Sequence, residues 1–215
     1  MNKIQVKKGW GGVLATALLT ALATFTSCSD WDDHYEGGGV ESSNATLWEQ
    51  IAAREELSDF SEVLNSTMVF RQHKKTAVSY AETLQGGRSL TVFAPVNGTF
   101  NKDSLIALTQ TAQGDSAVER FFVMNHLAST LRSASDTTVS FRTLNWKRVD
   151  MQSDKVGGVA IMDRNLHCKN GVMHILQQVM PYKYTIYEAL THMDEFQPAG
   201  QVLSSYNEDV FNENA

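Results

Sequence analysis

The chain has 215 residues, with 18 lysines and arginines against 24 aspartates and glutamates, so its formal net charge at pH 7 is −6. The sequence has no basic stripe and no aromatic residues placed between lysines and arginines, and such an acidic chain is a poor binder of nucleic acid. Its length allows one domain of ordinary size plus a remnant. It has only two cysteines, so a disulfide framework is excluded if one of them is modified.

The first 27 residues have the pattern of an export signal. Three lysines precede an apolar run from Val13 to Phe25, which is too short to span a bilayer as a stable helix. The segment closes with Phe25-Thr26-Ser27-Cys28, which resembles the lipobox that lipoprotein signal peptidase reads. We therefore expect residues 1–27 to be a lipoprotein signal peptide and Cys28 to be the acylated anchor, carrying lipid such as palmitate. An ordinary secretory signal followed by an incidental cysteine is the alternative.

Residues 28–43 are rich in glycine, serine and acidic side chains, a composition that predicts a flexible tether. Asp30, Asp32 and Asp33 follow the cysteine closely. They resemble the signal that carries lipoproteins to the outer face of the outer membrane in one group of Gram-negative bacteria. This resemblance implies a lipid-anchored protein exposed at the cell surface. The alternative is a solvated spacer without an address.

Two short helices are predicted after the tether. Thr46-Leu47-Trp48-Glu49 has the capping-box pattern, so a helix should begin there. Leu47 and Ile51 share one helical face, and Phe60, Val63 and Leu64 repeat that spacing after a break near residues 57–59. The apolar run 90–94 predicts a strand that ends at Pro95, because proline cannot donate to the ladder.

The second half of the sequence turns from helix to strand. Ser116-Ala117-Val118-Glu119 has the pattern of another capping box, and a helix containing Phe121, Phe122 and His126 should follow. Asn170-Gly171 has the composition of a type I′ hairpin turn, in which both residues need positive φ. Helices early and strands late favour an α+β domain. The strands are predicted at residues 137–141, 146–151, 159–162, 166–169 and 172–180.

Three blocks then resemble the fasciclin family in order and spacing. Residues 91–100, TVFAPVNGTF, resemble its first signature, and residues 165–176, NLHCKNGVMHIL, resemble its second. Residues 121–126, FFVMNH, resemble its central tyrosine-histidine block, with Asn125 in place of the usual tyrosine. The resemblance covers residues 44–182. It implies a fasciclin-like domain in which short N-terminal helices pack against an antiparallel β wedge or sandwich.

The resemblance assigns mainly structural roles to the motif residues. His126 and His174 should bond across the core, and neither has the carboxylate or cysteine partners that a closed zinc site needs. Asn97 should start a turn into the next helix, because its side chain can bond local backbone. The motif residues are Thr91, Phe93, Pro95, Asn97, Phe100, His126, Asn170, Gly171 and His174.

The sequence contains no pattern typical of an enzyme. It lacks a nucleophile elbow, a phosphate-binding loop, a metalloprotease helix and a paired-cysteine metal motif. Cys168 lies in a predicted strand, where a free cysteine usually behaves as a small buried hydrophobe. We therefore expect no catalytic residue, no metal and no cofactor.

An internal repeat begins near the C-terminus. Thr185-Ile186-Tyr187-Glu188 repeats Thr46-Leu47-Trp48-Glu49 at an offset of 139 residues, about the length of one fasciclin domain. Residues 183–215 are therefore interpreted as an incomplete, helical second repeat. We expect it to be frayed or docked on the first domain through Ile186, Leu190 and Phe196. An unrelated amphipathic helix is the alternative.

Three serine or threonine residues follow an aspartate in a pattern that resembles the O-glycosylation site of the same bacterial group. They are Ser104, Ser116 and Thr137.

The expected function follows from the resemblance. The chain should be a surface-exposed lipoprotein, attached to the membrane by its lipid, whose fasciclin-like domain binds a protein or glycan partner in adhesion. The alternative is an accessory subunit of an outer-membrane glycan or nutrient-uptake system. An enzyme is the least favoured function.

Overall fold

The computed structural model describes residues 43–206. The predicted signal peptide, Cys28 and nearly all of the predicted tether lie outside the described residues, as do residues 207–215. Between residues 43 and 206, every helix is too short or too polar to cross a bilayer.

The domain begins with the two short helices that the sequence predicts. Helix α1 spans Leu47–Ala52, and α2 spans Ser58–Ser66 after a 3₁₀ turn. The amide of Glu49 donates to the Thr46 hydroxyl at 3.2 Å, and the Thr46 amide donates back to the Glu49 carboxylate at 2.7 Å. The predicted capping box and the break between the helices are confirmed.

A β-hairpin and a third helix follow, and neither was predicted. Strand β1 (Met68–Arg71) pairs with β2 (Lys74–Ser79), and α3 spans Tyr80–Gln85. The turn residues Gln72 and His73 have φ of 49° and 60°, as a type I′ turn requires. The turn contains no glycine or asparagine, so the usual hairpin signal is missing.

Seven further strands follow along the chain: β3 (Leu90–Pro95), β4 (Leu127–Ala128), β5 (Val139–Arg142), β6 (Arg148–Met151), β7 (Lys155–Val156), β8 (Val159–Cys168) and β9 (Gly171–Leu176). They form the main sheet, in the order β4-β3-β9-β8-β7-β6-β5. All neighbouring strands run antiparallel except β3 and β9, which pair in parallel from Leu90 opposite Gly171 to Pro95 opposite Leu176. The α+β class is confirmed, and this parallel pair departs from a purely antiparallel wedge.

Strand β8 replaces two of the predicted strands. The sequence predicted separate strands at 159–162 and 166–169, but β8 runs continuously through both. Its register against β9 shifts on either side of Asp163, so the strand bends without ending.

The helical segment before β4 differs from the prediction. Helix α4 spans Lys102–Leu108, and α5 spans Ala112–Val118 with Thr111 as its cap. The capping box predicted at Ser116 is therefore wrong, because Ser116 lies inside α5. A π-helical turn (Glu119–Val123) and a 3₁₀ turn (Met124–His126) complete the segment. Phe121, Phe122 and His126 therefore lie in helical turns as predicted, although these turns are not α-helical.

The type I′ turn predicted at Asn170-Gly171 is wrong as well. Cys168 pairs with Gly171, so the loop residues are Lys169 and Asn170. Among the described residues, positive φ occurs elsewhere, including Gly157 and Gly158 between β7 and β8. Asn170 and Gly171 instead contact residues that are distant in the sequence.

The core has two parts that meet at β3. One cluster fills the space between the N-terminal helices and the sheet and contains Leu47, Ile51, Phe60 and Val92. The other lies among the strands and contains Phe93, Phe141, Met151, Val159 and Leu176. Because successive side chains of a strand point to opposite faces, β3 is buried on both sides.

The C-terminal helices repeat the geometry of α1 and α2. Helix α6 spans Ile186–His192, a 3₁₀ turn spans Asp194–Phe196, and α7 spans Gln197–Ser205. The bounds of the 3₁₀ turn and of α7 are those of residues 55–57 and 58–66 moved by 139 positions. This supports the second-repeat interpretation, which stays a prediction.

The expected docking through Ile186 and Phe196 is wrong. Ile186 is 83% exposed and Phe196 is 40% exposed, whereas their counterparts Leu47 and Leu57 are fully buried. Leu190 is half-buried. The contact is polar: Glu188 is buried against Arg120 and Lys147, and the ring of His192 lies 4.8 Å from that of Phe121.

Candidate binding groove

A groove of about 810 Å³ opens between the β1–β2 hairpin, the end of α3 and the loop that follows β5. This volume lies within the range of small-molecule sites in proteins. The residues that give it its chemistry are Phe70, Arg71, Arg88, Glu119, Arg142 and Trp146.

Two buried acids hold the hairpin wall of the groove in place. Asp115 accepts a hydrogen bond from the Met68 amide at 3.2 Å and lies 2.6 Å from the Lys75 ammonium. Glu119, four residues later, accepts from the Phe70 amide at 2.8 Å and the Tyr80 hydroxyl at 2.9 Å. Burial raises the pKa of Glu119, and these two hydrogen bonds oppose that rise.

Neither acid was predicted from the sequence to hold a wall of the groove. The available signal was their i, i+4 spacing beside the apolar Val118 and Phe122, which places two carboxylates near an inward face.

Trp146 projects into solvent at the other wall of the groove. It is 75% exposed and has φ of 67°, a conformation that is an outlier for a bulky residue. Its amide donates to the Thr143 carbonyl at 2.9 Å, and the Arg142 guanidinium lies 5.9 Å from its ring centre. The turn therefore holds an indole outward at a backbone cost, which is typical of functional sites.

Asn125, which stands where the family motif has tyrosine, helps to fix this turn. Its side-chain oxygen accepts from the Asn145 amide group at 3.2 Å, and its own NH₂ donates to the Met180 carbonyl at 3.1 Å. The asparagine thus links the central block to the Trp146 turn.

The first-signature residues organise the fold around β3 and do not enter the groove. The Thr91 hydroxyl donates to the Thr130 carbonyl at 2.8 Å. Phe93 stacks on His174 with ring centres 5.5 Å apart. Pro95 is the last residue of β3, and the half-buried Phe100 packs 4.9 Å from the ring of Phe122.

The turn predicted at Asn97 forms, but the Asn97 side chain does not bond the local backbone as expected. The Asn97 side chain accepts from the Asp59 amide at 2.9 Å and donates to the Glu55 carbonyl at 2.7 Å. It therefore bonds the start of α2, about 40 residues earlier. Asn101, and not Asn97, caps the following helix α4.

The second-signature residues tie β9 to the N-terminal helices. Asn170 accepts from the Leu47 amide at 2.8 Å and donates to the carbonyls of Leu84 and Gly86 at 2.7 Å and 2.6 Å. A Cβ at Gly171 would lie 2.0 Å from the Leu90 carbonyl oxygen, so no other residue fits without a backbone shift.

Both motif histidines are fully hydrogen-bonded in the core. His126 Nδ1 donates to the Phe122 carbonyl at 2.8 Å, and its Nε2 accepts from the Met180 amide at 3.0 Å. His174 Nε2 donates to the Arg132 carbonyl at 2.9 Å, and its Nδ1 accepts from the Asn165 amide at 3.3 Å. In the part of the chain that the structure describes, histidines, cysteines and acids do not form a cluster of three that could hold a metal ion.

A family model described as the fasciclin domain matches residues 64–182. The chain belongs to the fasciclin family. It is also similar to a solved FAS1 domain pair from the insect cell adhesion molecule fasciclin I, at 11% identity and a TM-score of 0.42, over 64% of this chain and 51% of that one. The chain thus spans about half the length of that protein. No curated protein matches the sequence. The fasciclin family consists generally of non-enzymatic adhesion or interaction domains.

The fasciclin domain should lose stability as the pH is lowered, because His126 is buried in its neutral form. Burial lowers the pKa of His126 to about 4, against 6.5 for an ordinary histidine. Between pH 6.5 and pH 4, His126 is protonated in the unfolded chain but stays neutral in the folded chain. The free energy of unfolding therefore falls as pH drops from about 6.5 to about 4, by up to about 3 kcal/mol. Urea midpoints measured at pH 7.5 and pH 5 check this.

The matched variants are His126→Gln, which removes the titrating ring, and His73→Gln, which removes an exposed one. His126→Gln should be less stable at pH 7.5 and should show a smaller loss on acidification. If both variants keep the wild-type pH dependence, the buried ring is not its source.

The other predicted positions lie away from the groove. Cys168 is half-buried, and burial raises the pKa of its thiol to about 11, as expected for a small buried hydrophobe. Of the possible O-glycosylation positions, Thr137 is exposed in a loop, Ser104 is exposed on α4, and Ser116 is half-buried in α5. Thr137 and Ser104 are thus more accessible than Ser116.

Proposed function

We propose that this chain is a surface-displayed lipoprotein whose fasciclin domain binds another macromolecule, a glycan or a protein, in adhesion. The groove beside Trp146 is the observation that carries the proposal. A strained, largely exposed indole next to free guanidinium groups has no packing role, and exposed aromatic and arginine side chains are common at binding sites.

The groove is built to keep its shape. One wall is the hairpin fixed by Asp115 and Glu119, and the other is the turn fixed by Asn125 and Asn145. A site whose walls are held by buried hydrogen bonds loses little conformational entropy when a ligand binds.

The location part of the proposal rests on the sequence. Cys28 after an apolar segment supports lipid attachment, and the acids at 30, 32 and 33 support surface export. A tether of about 15 residues would leave the groove free to meet a partner outside the cell.

A second candidate is an accessory role in an outer-membrane glycan-uptake system. The same groove favours it, because an aromatic ring with flanking polar groups suits a saccharide in either setting. Loss of growth on one glycan in a strain lacking the gene, with adhesion unchanged, would favour this candidate over adhesion.

The test uses cells that express the full chain, applied to an array of glycans and extracellular proteins. The Cys28→Ala chain should leave the membrane fraction or stall in processing, and adhesion should be lost with it. The Trp146→Ala chain should stay at the surface, cleavable by added protease, while adhesion falls. Met162→Ala, which removes an exposed apolar side chain outside the groove, is the control and should adhere normally.

Two results would contradict the proposal. Normal membrane retention of the Cys28→Ala chain would show that the protein is not anchored by a lipid on Cys28. Equal adhesion by the wild-type and Trp146→Ala chains would show that the groove is not the site of adhesion.

A further inference from the structure

We propose that the ligand of the groove is an acidic saccharide, whose carboxylates are bound by Arg71, Arg88 and Arg142 while a sugar ring lies against Trp146. This inference deepens the proposed function and rests on it. Four features of the groove support it: its free positive charge, its single exposed acid, its basic rim and its mixed lining.

Three arginines from separate parts of the fold face the groove. Arg71 ends β1, Arg88 lies in the loop before β3, and Arg142 ends β5. All three are exposed, and none forms an ion pair with a carboxylate of residues 43–206. In a chain whose net charge is −6, such a gathering concentrates positive potential at one place. The planar guanidinium group is also the side chain best suited to bidentate binding of carboxylate.

Two acids line the same groove, and they differ in exposure: Glu82 is exposed, whereas Glu119 is buried. One oxygen of Glu82 accepts from the amide and the hydroxyl of Ser79 in the capping box of α3. Glu119 is only 6% exposed and accepts from Phe70 and Tyr80. The three arginines therefore outnumber the one exposed carboxylate, Glu82, that a ligand would meet in the groove.

The positive surface continues past the groove onto the tip of the hairpin. The tip reads Arg71-Gln72-His73-Lys74-Lys75, and all five residues are exposed. Lys75 is paired with Asp115, whereas Lys74 has no carboxylate partner within the described residues. A rim that carries charge beyond the groove fits a polymer with repeated acidic units better than a single small acid.

The rest of the lining matches a sugar ring. A pyranose has C–H faces surrounded by hydroxyl groups, and the groove offers an exposed indole together with the half-buried hydroxyls of Thr76 and Thr83. These two hydroxyls donate to the Val69 and Ser79 carbonyls and can still accept from a sugar hydroxyl. The indole provides apolar contact area at a small cost in side-chain entropy. An acidic peptide would satisfy the arginines but would leave this combination of ring and hydroxyls without a purpose.

The test is calorimetry of the full chain, purified in detergent, with oligogalacturonates as the probe. Their methyl esters keep the sugar and remove the charge, and polyglutamate keeps the charge and removes the sugar. We expect oligogalacturonates to bind, with affinity falling as salt is added, and the two control ligands to bind at least about tenfold more weakly.

Matched variants locate the binding. Arg88→Gln and Trp146→Ala should each weaken oligogalacturonate binding by about tenfold. Arg164→Gln, which removes the same charge from an exposed position outside the groove, should leave binding unchanged. Circular dichroism of each variant shows whether the fold is retained.

Four results would overturn the inference: no binding of oligogalacturonates, equal binding of the methyl esters, equal binding of polyglutamate, or equal binding by Arg88→Gln and wild type. These results differ from a failure of the proposed function. If oligogalacturonates fail to bind while Trp146→Ala still abolishes adhesion of cells, the groove is a binding site for another class of ligand. If cells with the Trp146→Ala chain adhere normally while the purified variant no longer binds oligogalacturonate, the groove binds the saccharide and the proposed role in adhesion is wrong.

Discussion

Gly171→Ala is expected to destabilise the domain by at least about 3 kcal/mol, and the variant should accumulate mainly as insoluble protein. The new Cβ would lie 2.0 Å from the Leu90 carbonyl oxygen and 2.7 Å from a methyl group of Leu47. The first atom belongs to the parallel partner strand, so it cannot move without breaking the β3–β9 pairing. Relief would require separating β9 from β3 within the sheet.

Gly87→Ala is the matched control, because nothing lies within 4 Å of its added Cβ and its φ is not positive. It should be neutral or slightly stabilising, since alanine restricts the unfolded chain more than glycine does. Soluble yield and urea midpoints compare the two variants. A Gly171→Ala protein with the midpoint of the Gly87→Ala protein would show that β3 can shift at Leu90 at little cost.

Glu188→Gln is expected to release the α6–α7 hairpin from the fasciclin domain. Glu188 lies 2.8 Å from the Arg120 guanidinium, contacts the Lys147 ammonium, and accepts from the Tyr182 hydroxyl at 2.7 Å. Burial opposes ionisation, but the bonds from Lys147, Thr185 and Tyr182 outweigh it and hold the pKa of Glu188 well below its usual range. The glutamine would keep the size of the side chain and lose the charge that pairs with both cations.

The polar contact matters because the apolar residues of the hairpin contribute little to docking. Ile186, Val202 and Leu203 are exposed, whereas their counterparts in the first copy, Leu47, Val63 and Leu64, are fully buried. A helical pair that buries so little apolar area is not stable alone. Once Glu188 is neutral, residues 183–206 should exchange amide hydrogens quickly and be cleaved after Tyr182.

Glu195→Gln is the control, because Glu195 is exposed in the same segment and makes no ion pair among the described residues. The measurement is hydrogen exchange with limited proteolysis at pH 7, where wild-type Glu188 is ionised. The contribution of Glu188 is present above the ordinary carboxyl pKa of about 4.5 and is lost only as pH falls below it. Continued protection of residues 183–206 in Glu188→Gln would show that other contacts hold the hairpin.

The features predicted correctly from the sequence are those whose physics is local or whose motif is long. The capping box of Thr46 and Glu49 needs only four residues, so it forms wherever the helix forms. The family could be inferred because two signatures and a central block recur in order over residues 91–176. The break between α1 and α2 followed from the interruption of the apolar spacing.

The errors arose where a residue type that is common in local turns instead contacts a residue distant in the sequence. Asn170-Gly171 has the composition of a hairpin turn, but the asparagine bonds α1 and the end of α3, and the glycine allows β9 to approach Leu90. Asn97 has the composition of a local turn, yet it bonds the start of α2. Local composition carries no information about such partners.

The sequence alone determined the family, the α+β class and the starting points of the helices at Thr46 and Thr185, because these depend on short-range bonding and on motif order. Tertiary structure alone decided which copy of the helix pair is covered, since the same pattern is buried around Leu47 and exposed around Ile186. It also decided the groove, because Arg71, Arg88 and Arg142 come from three separate elements and meet only when the hairpin packs beside β5. Net charge is a sum over the chain, whereas a binding surface depends on which charges the fold brings together.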